Sequence, residues 1–335
     1  MKNRSGRIDE IDVMRGIGIL LVVIGHVFPV GTKTHAFIYG FHMPLFFIIS
    51  GMTLSVDSEG RQFSKSDMRL VRDYFLYSAL YVAFDIIVRL LLLKTYVISD
   101  IVTDLKNTFS LFGISVLWFV PAMVGARVLA RTILSKTNLY FQIGICFGLI
   151  CIGLYVPYHD NLIWITKILL VLQRISVASG YVMIGFILRR YVLPKMRILK
   201  ILIVAGIPNV LLTDDAAGID FRTLSWGGDE ILAILLSLSG TLMIVGLATL
   251  LSHTAKLKRW FKWMSSQSLR IMVFHSYLML PRIIDVVLGR MRIVQNSVIY
   301  YLVKSVGLIT LVILVCTAID GIKNKWKEWM QQASR

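Results

Sequence analysis

The stretch Asp12-Val-Met-Arg15-Gly-Ile-Gly-Ile-Leu-Leu-Val-Val-Ile-Gly-His26 sets ten uncharged, mostly apolar residues between a guanidinium and an imidazole. At about 100° per residue, eleven residues make three helical turns plus about 20°, so Arg15 and His26 share one face, about 16 Å apart along the axis. Charged and imidazole groups inside a membrane span normally face a bundle interior or an aqueous cavity. Residues 14–30 therefore read as a spanning helix, with Arg15 at its cytoplasmic mouth and His26 beyond the bilayer middle. Singly, Arg15 also suits a topological anchor and His26 a packing residue. Jointly, on one face, they favour function and are expected to line one wet crevice.

The rest of the chain agrees with that first helix. Of 335 residues, 56% are hydrophobic and 16% charged, against about 25% charged in a soluble domain. Mean hydropathy is +0.73, yet 36 Lys and Arg face 19 Asp and Glu, a formal net charge of +17. A chain at once basic and apolar is an integral membrane protein, and nucleic acid is excluded as the cause of its charge because the cations lie between apolar runs. Ten candidate spans follow: 14–30, 36–55, 74–93, 109–129, 139–156, 169–188, 198–213, 230–251, 269–288 and 297–319. The seventh is the weakest, being short and interrupted by Gly206 and Pro208. Twenty-four Lys and Arg then fall on the N-terminal side of the membrane and six on the other, which puts both termini in the cytoplasm. The fold class expected is all-α and polytopic, a single membrane domain over residues 1–335 with no separate soluble domain. Lys323 to Arg335 read as an amphipathic tail whose Trp326 and Trp329 rest at the interface. Three cysteines, Cys146, Cys151 and Cys316, give neither a disulfide framework nor metal-ligand spacing, so no metal is expected.

Further polar groups sit where lipid is expected. The second span opens on Phe41-His42-Met-Pro44-Leu-Phe-Phe and runs to Ser50-Gly51. His42 suits either a helix start near water, with Pro44 in the first turn, or a site beside His26. Gly51 suits close helix packing. Arg69 and Arg72, at helical spacing beside the cytoplasmic surface, present planar forks fit for phosphate, although anionic headgroups and plain topology also explain such pairs. Asp85 and Arg89 neutralise each other four residues apart. Trp118-Phe-Val-Pro121 closes a cavity or shapes a kink, and Arg174 and His275 make interhelical hydrogen bonds or serve a site.

Cations at a cytoplasmic mouth suit a phosphate-bearing donor whose thin arm threads inward along the His26 face. Coenzyme A has that shape, and an imidazole that takes a hydroxyl proton during attack on its thioester is useful at neutral pH.

The segments Asp12 to His26 and Phe41 to Gly51 resemble the integral-membrane acyltransferase type 3 family, particularly its fucose 4-O-acetylase-like branch. Weaker echoes at Arg69 to Arg72, Trp118 to Pro121, Gly185 with Arg189-Arg190, and Ser268 to His275 extend the likeness over most of the chain. The resemblance implies acetyl transfer from acetyl-CoA to a hydroxyl of a cell-surface polysaccharide or its lipid-linked precursor, in a bacterial inner or plasma membrane. It implies catalytic roles for His26, as general base, and Arg15, as donor anchor or stabiliser of oxygen charge. Arg69 and Arg72 match its donor-binding pair, while His42, Trp118 and His275 are the expected acceptor contacts. The partners expected are a glycan or glycolipid acceptor and membrane lipid. A saccharide transporter and a non-catalytic scaffold are the competing readings; neither explains the Arg15–His26 spacing.

Overall fold

The computed structural model describes residues 9–56, 62–90, 98–153, 164–195, 198–213, 219–226, 228–276, 280–291, 295 and 297–333. Arg335, the last residue of the expected amphipathic tail, lies outside them. The described chain is built from fourteen α-helices and one short hairpin: α1 (Asp9–Val27), α2 (Lys33–Tyr39), α3 (His42–Met52), α4 (Lys65–Val88), α5 (Ile98–Phe109), α6 (Phe119–Leu134), α7 (Leu139–Ile152), α8 (Trp164–Ile187), α9 (Ile198–Leu212), α10 (Glu230–Ser252), α11 (Ala255–Ser266), α12 (Ser268–Phe274), α13 (Leu280–Arg290) and α14 (Val298–Ala333). A 3-10 turn at Ser115–Trp118 leads into α6, and the antiparallel strands β1 (Ile219–Asp220) and β2 (Ser225–Trp226) lie between α9 and α10.

The core is set by α3. All eleven of its residues are buried, and it packs on α8, α10 and α1. Glycine makes the α3–α8 approach possible. A Cβ on Gly51 would lie 1.8 Å from the Val182 carbonyl oxygen, and one on Gly185 2.0 Å from that of Ile48, so each helix rests its backbone on the other. Arg189, just past α8, donates to the Met52 carbonyl at the end of α3, satisfying one of the acceptors that a helix C-terminus leaves open. α1 is likewise buried along most of its length and lies against α10 and α11.

Among the described residues, five helical stretches are long and apolar enough to cross a membrane: Lys33–Met52, Ser115–Leu134, Ile165–Val192, Glu230–Ser252 and Val298–Gln332. The ten candidate spans are thus met only in part, for physical reasons. α1 carries Asp9, Glu10, Asp12 and Arg15 within its 19 residues. α7 has 14 residues, α9 has 15, and the ninth candidate is divided between α12 and α13. α9 also departs from the sequence reading in the opposite sense, running unbroken through Gly206 and Pro208. The C-terminal segment is no separate tail: α14 continues from the last apolar run through Trp326 and Trp329 as one helix of 36 residues, about 54 Å long. The two indoles touch at 5.3 Å and stand exposed.

Candidate active site

α1 displays Arg15 and His26 into different surroundings. Arg15 lines a cavity of about 860 Å³ together with Arg69 of α4, Arg127 of α6 and the hydroxyls of Ser50, Ser66 and Ser265. His26 lines a second, of about 530 Å³, with Tyr39, His42, Trp118, Asp220 and His275. Phe46, Phe119 and Met272 line both, and the Phe46 and Phe119 rings meet edge to face at 6.0 Å. The single crevice expected from the shared helix face is therefore two cavities meeting at an apolar seam.

The arginine cavity is organised by a carboxylate. Asp67, with a fully buried side chain, is ion-paired with Arg127 Nε at 2.7 Å and accepts from Arg131 Nη1 at 2.6 Å. Its own place is fixed locally: Ser64 caps α4, and the Asp67 carboxylate accepts from the Ser64 backbone N–H at 2.8 Å, closing a capping box. Burial works to raise the Asp67 pKa, but hydrogen bonds from Arg131 and Ser64 and the charge of Arg127 outweigh it and hold the carboxyl below its ordinary range. Arg127 also donates to Ser66 Oγ at 2.9 Å. Arg15 pairs with Asp12, one turn earlier, at 3.7 Å, and Asp12 accepts from Ser265 of α11 at 3.2 Å. Below it, Lys262 of α11 donates to Asp9 at 2.5 Å and lowers that carboxyl's pKa.

The expected Arg69–Arg72 pair is divided. Arg69 lines the cavity; Arg72 does not, its side chain being 71% exposed and paired at 2.7 Å with the adjacent Asp73. The second buried-side guanidinium comes instead from Arg127, whose sequence neighbourhood, Gly-Ala-Arg127-Val-Leu-Ala-Arg131, gave no more than a topological signal.

The other cavity gathers imidazoles. His42 and His275 are buried, and the Nδ1 of each lies against the carbonyl four residues earlier, Ile38 at 3.1 Å and Ile271 at 3.2 Å. Those carbonyls can only accept, so both rings donate from Nδ1 and keep a lone pair on Nε2. Among the described residues, buried His275 Nε2 has no hydrogen-bond partner. The His26 and His275 ring centroids are 5.0 Å apart. His26 Nδ1 lies 3.1 Å from the Tyr39 hydroxyl, and Tyr39 in turn stacks on His35 at 3.9 Å and tilts against His42 at 4.6 Å. Sequence reasoning passed over Tyr39 and His35, both on α2, although the short loop after α1 was the signal that brings α2 back over His26. Trp118, at the end of the 3-10 turn, forms a wall of this cavity. Thus His26, His42, Trp118 and His275 share one cavity, while Arg15 and Arg69 share the other. Among the described residues no group of three or more His, Cys, Asp or Glu is placed to hold a metal ion. Asp85 and Arg89 pair at 2.6 Å, and Arg89 also reaches Asp100 at 2.8 Å.

The apolar helices and the charged and imidazole groups buried among them are those of a helical membrane protein. Residues 8–319 match the family model described as an acyltransferase domain, type 3, and the chain belongs to that acyltransferase family. Searches of curated proteins and of solved structures found no match. Nothing in these comparisons supports the transporter reading.

Proposed function

We propose that the protein is a membrane O-acetyltransferase of the fucose 4-O-acetylase-like branch, moving acetyl from acetyl-CoA to a hydroxyl of a cell-surface polysaccharide or its lipid-linked precursor. In this reading the chain crosses a bacterial inner or plasma membrane ten times with both termini in the cytoplasm. The arginine cavity faces the donor side, where Arg15, Arg69 and Arg127 offer guanidinium forks to phosphates. The histidine cavity takes the acceptor, with Trp118, His42 and His275 around it. The observation that carries the reading is the division of one helix: α1 gives Arg15 to the cation-lined cavity and His26 to the imidazole-lined one.

The chemistry follows from the ring nitrogens. With His26 Nδ1–H donating to the Tyr39 oxygen, Nε2 keeps the lone pair that a base needs. It takes the acceptor's hydroxyl proton as that oxygen bonds to the thioester carbonyl carbon. The C–S bond breaks, and the proton passes to the departing thiolate, so acetyl-CoA and the alcohol become ester and free coenzyme A. Arg15 sits too far from His26 along α1, about 16 Å, to meet the same atoms in this arrangement, and is assigned to the donor's phosphates.

The test uses the full chain in liposomes with acetyl-labelled coenzyme A and surface polysaccharide stripped of its esters by mild base. Wild type transfers label, His26→Ala abolishes or sharply reduces transfer, and Arg15→Ala reduces it when acetyl-CoA is kept below saturation. Polysaccharide left unlabelled by wild type, or labelled equally by both variants, sinks the reading.

A further inference from the structure

Arg174 of α8 is the largest of the fully buried side chains, 2% exposed, and it stands behind the wall of the histidine cavity without lining it. Two of its hydrogen bonds go to separate loops. Nη1 donates to the Phe112 carbonyl at 3.1 Å, and Nη2 donates to the Arg222 carbonyl. The guanidinium carbon lies 4.6 Å from the Phe112 ring and 5.4 Å from the Trp118 ring, a distance at which a desolvated cation is held by the aromatic face.

Both loops are shaped by backbone conformations that need holding. Around Phe112, Leu111, Gly113 and Ser115 have φ of 60°, 84° and 48°. Leu111 and Ser115 therefore sit in a left-handed region that is strained for a residue with a side chain. Gly113 admits no substitute, since a Cβ there would lie 2.3 Å from the Trp118 Cα. The second loop is the β1–β2 turn, where Leu224 has φ 53° and buried Phe221 packs on Phe47 at 5.5 Å and Tyr181 at 5.8 Å. Ser115 and Trp118 from the first loop, and Asp220 and Arg222 from the second, line the histidine cavity. An arginine is suited to this place because its planar fork donates in two directions at once, whereas a lysine ammonium acts as a single point charge.

We infer that Arg174 is a positioning residue for the acceptor: it clamps the Trp118 loop and the β1–β2 hairpin together and so sets how tightly the polyhydroxyl substrate is held, while the donor side is untouched. The inference rests on the reading of the histidine cavity as the acceptor site. Trp118 then offers an apolar face to the sugar ring, and Asp220 and Arg222 offer charged partners for its hydroxyls.

Two measurements on the full chain in liposomes decide it. With base-stripped surface polysaccharide as the probe, Arg174→Met raises the half-saturating polysaccharide concentration about tenfold, the loss expected for charged hydrogen bonds. Its half-saturating acetyl-CoA concentration stays at the wild-type value. Arg174→Lys, keeping the charge but one contact, falls between the two. In hydrogen exchange, Arg174→Met accelerates exchange over 110–118 and 219–226 and leaves α1 and α3 unchanged. Wild-type acceptor saturation and exchange in Arg174→Met overturn the inference, as does a parallel shift of donor and acceptor saturation, which would make Arg174 a support of the whole fold. If wild type transfers no label, the acetyl-transfer reading fails by itself, and the exchange experiment still confirms or overturns the clamp between the two loops.

Discussion

The arginine and histidine cavities share α1, α3, α6 and α12 and three side chains, yet they are stabilised in opposite ways. Around Arg127 the structure is held by buried ion pairs: Asp67 joins two guanidiniums and is itself tied down by Ser64. Around His26 it is held by single hydrogen bonds and ring contacts, with Nδ1 of His42 and His275 fixed on backbone carbonyls and Tyr39 between His26 and His42. In the proposed reading the first arrangement fixes positive charge in space for an anionic donor, and the second sets imidazole rings on the wall of the acceptor cavity. Electrostatic anchoring and proton handling are then separated along α1, and a substitution on one side is expected to leave the other intact.

The sharpest test of that separation is His26→Ala. Loss of a general base lowers transfer by about 10²–10⁴-fold, while coenzyme A binding, followed by calorimetry on the detergent-solubilised protein, stays at the wild-type level. Weakened binding would mean that the seam does not divide the two functions. Next is Asp67→Asn, which leaves Arg127 and Arg131 without their buried counter-charge. Breaking a buried pair from one side costs about 3–5 kcal/mol, seen as a lower thermal midpoint and weaker coenzyme A binding together. The same carboxylate gives a pH dependence. Because its folded-state pKa is held below the ordinary value, its stabilisation is complete above about pH 4 and is lost as pH falls through the lower folded value. Asp67→Asn should therefore flatten the acid limb of the stability curve; an unchanged limb assigns acid unfolding elsewhere.

Smaller effects follow on each side. Arg15→Ala raises half-saturating acetyl-CoA about tenfold, as expected when one charged hydrogen-bonding group is removed, and leaves acceptor saturation alone. Tyr39→Phe removes one neutral hydrogen bond to His26, so transfer falls only about threefold to tenfold. A loss as large as that of His26→Ala would promote Tyr39 from orienting the ring to carrying the proton.

Helical periodicity made half of this site legible from the chain. Arg15 and His26 could be placed on one face because they lie within one helix, and His42 could be placed beside His26 because a short loop joins the first two spans. The remainder depends on partners distant along the chain. Arg127 meets Ser66 across 61 residues and Arg131 meets Asp67 across 64, and no local pattern announces either. Arg69 and Arg72 lie about 300° apart on α4, close enough to pair on paper, but the adjacent Asp73 holds Arg72 outward. Span counting fared similarly: the apolar runs were found, but α14 absorbed a segment that had looked separate, and His275 occupies the break between α12 and α13 rather than the middle of one helix. The family was legible in the two N-terminal motifs, whose residues are contiguous. The hairpin at Ile219–Trp226 was not, since strands of two residues leave no periodicity to read.

The seam of Phe46, Phe119 and Met272 has a consequence for selectivity. Two phenyl rings in edge contact leave a doorway that opens only as far as a ring can tip or a thioether can swing. In the proposed reading, the broad nucleotide head of the donor stays on the arginine side and only its thin acyl-bearing arm goes through. Chain length would then be measured at the threshold, and exchanging Phe119 for a smaller residue would admit longer acyl groups without altering any polar group that performs the reaction.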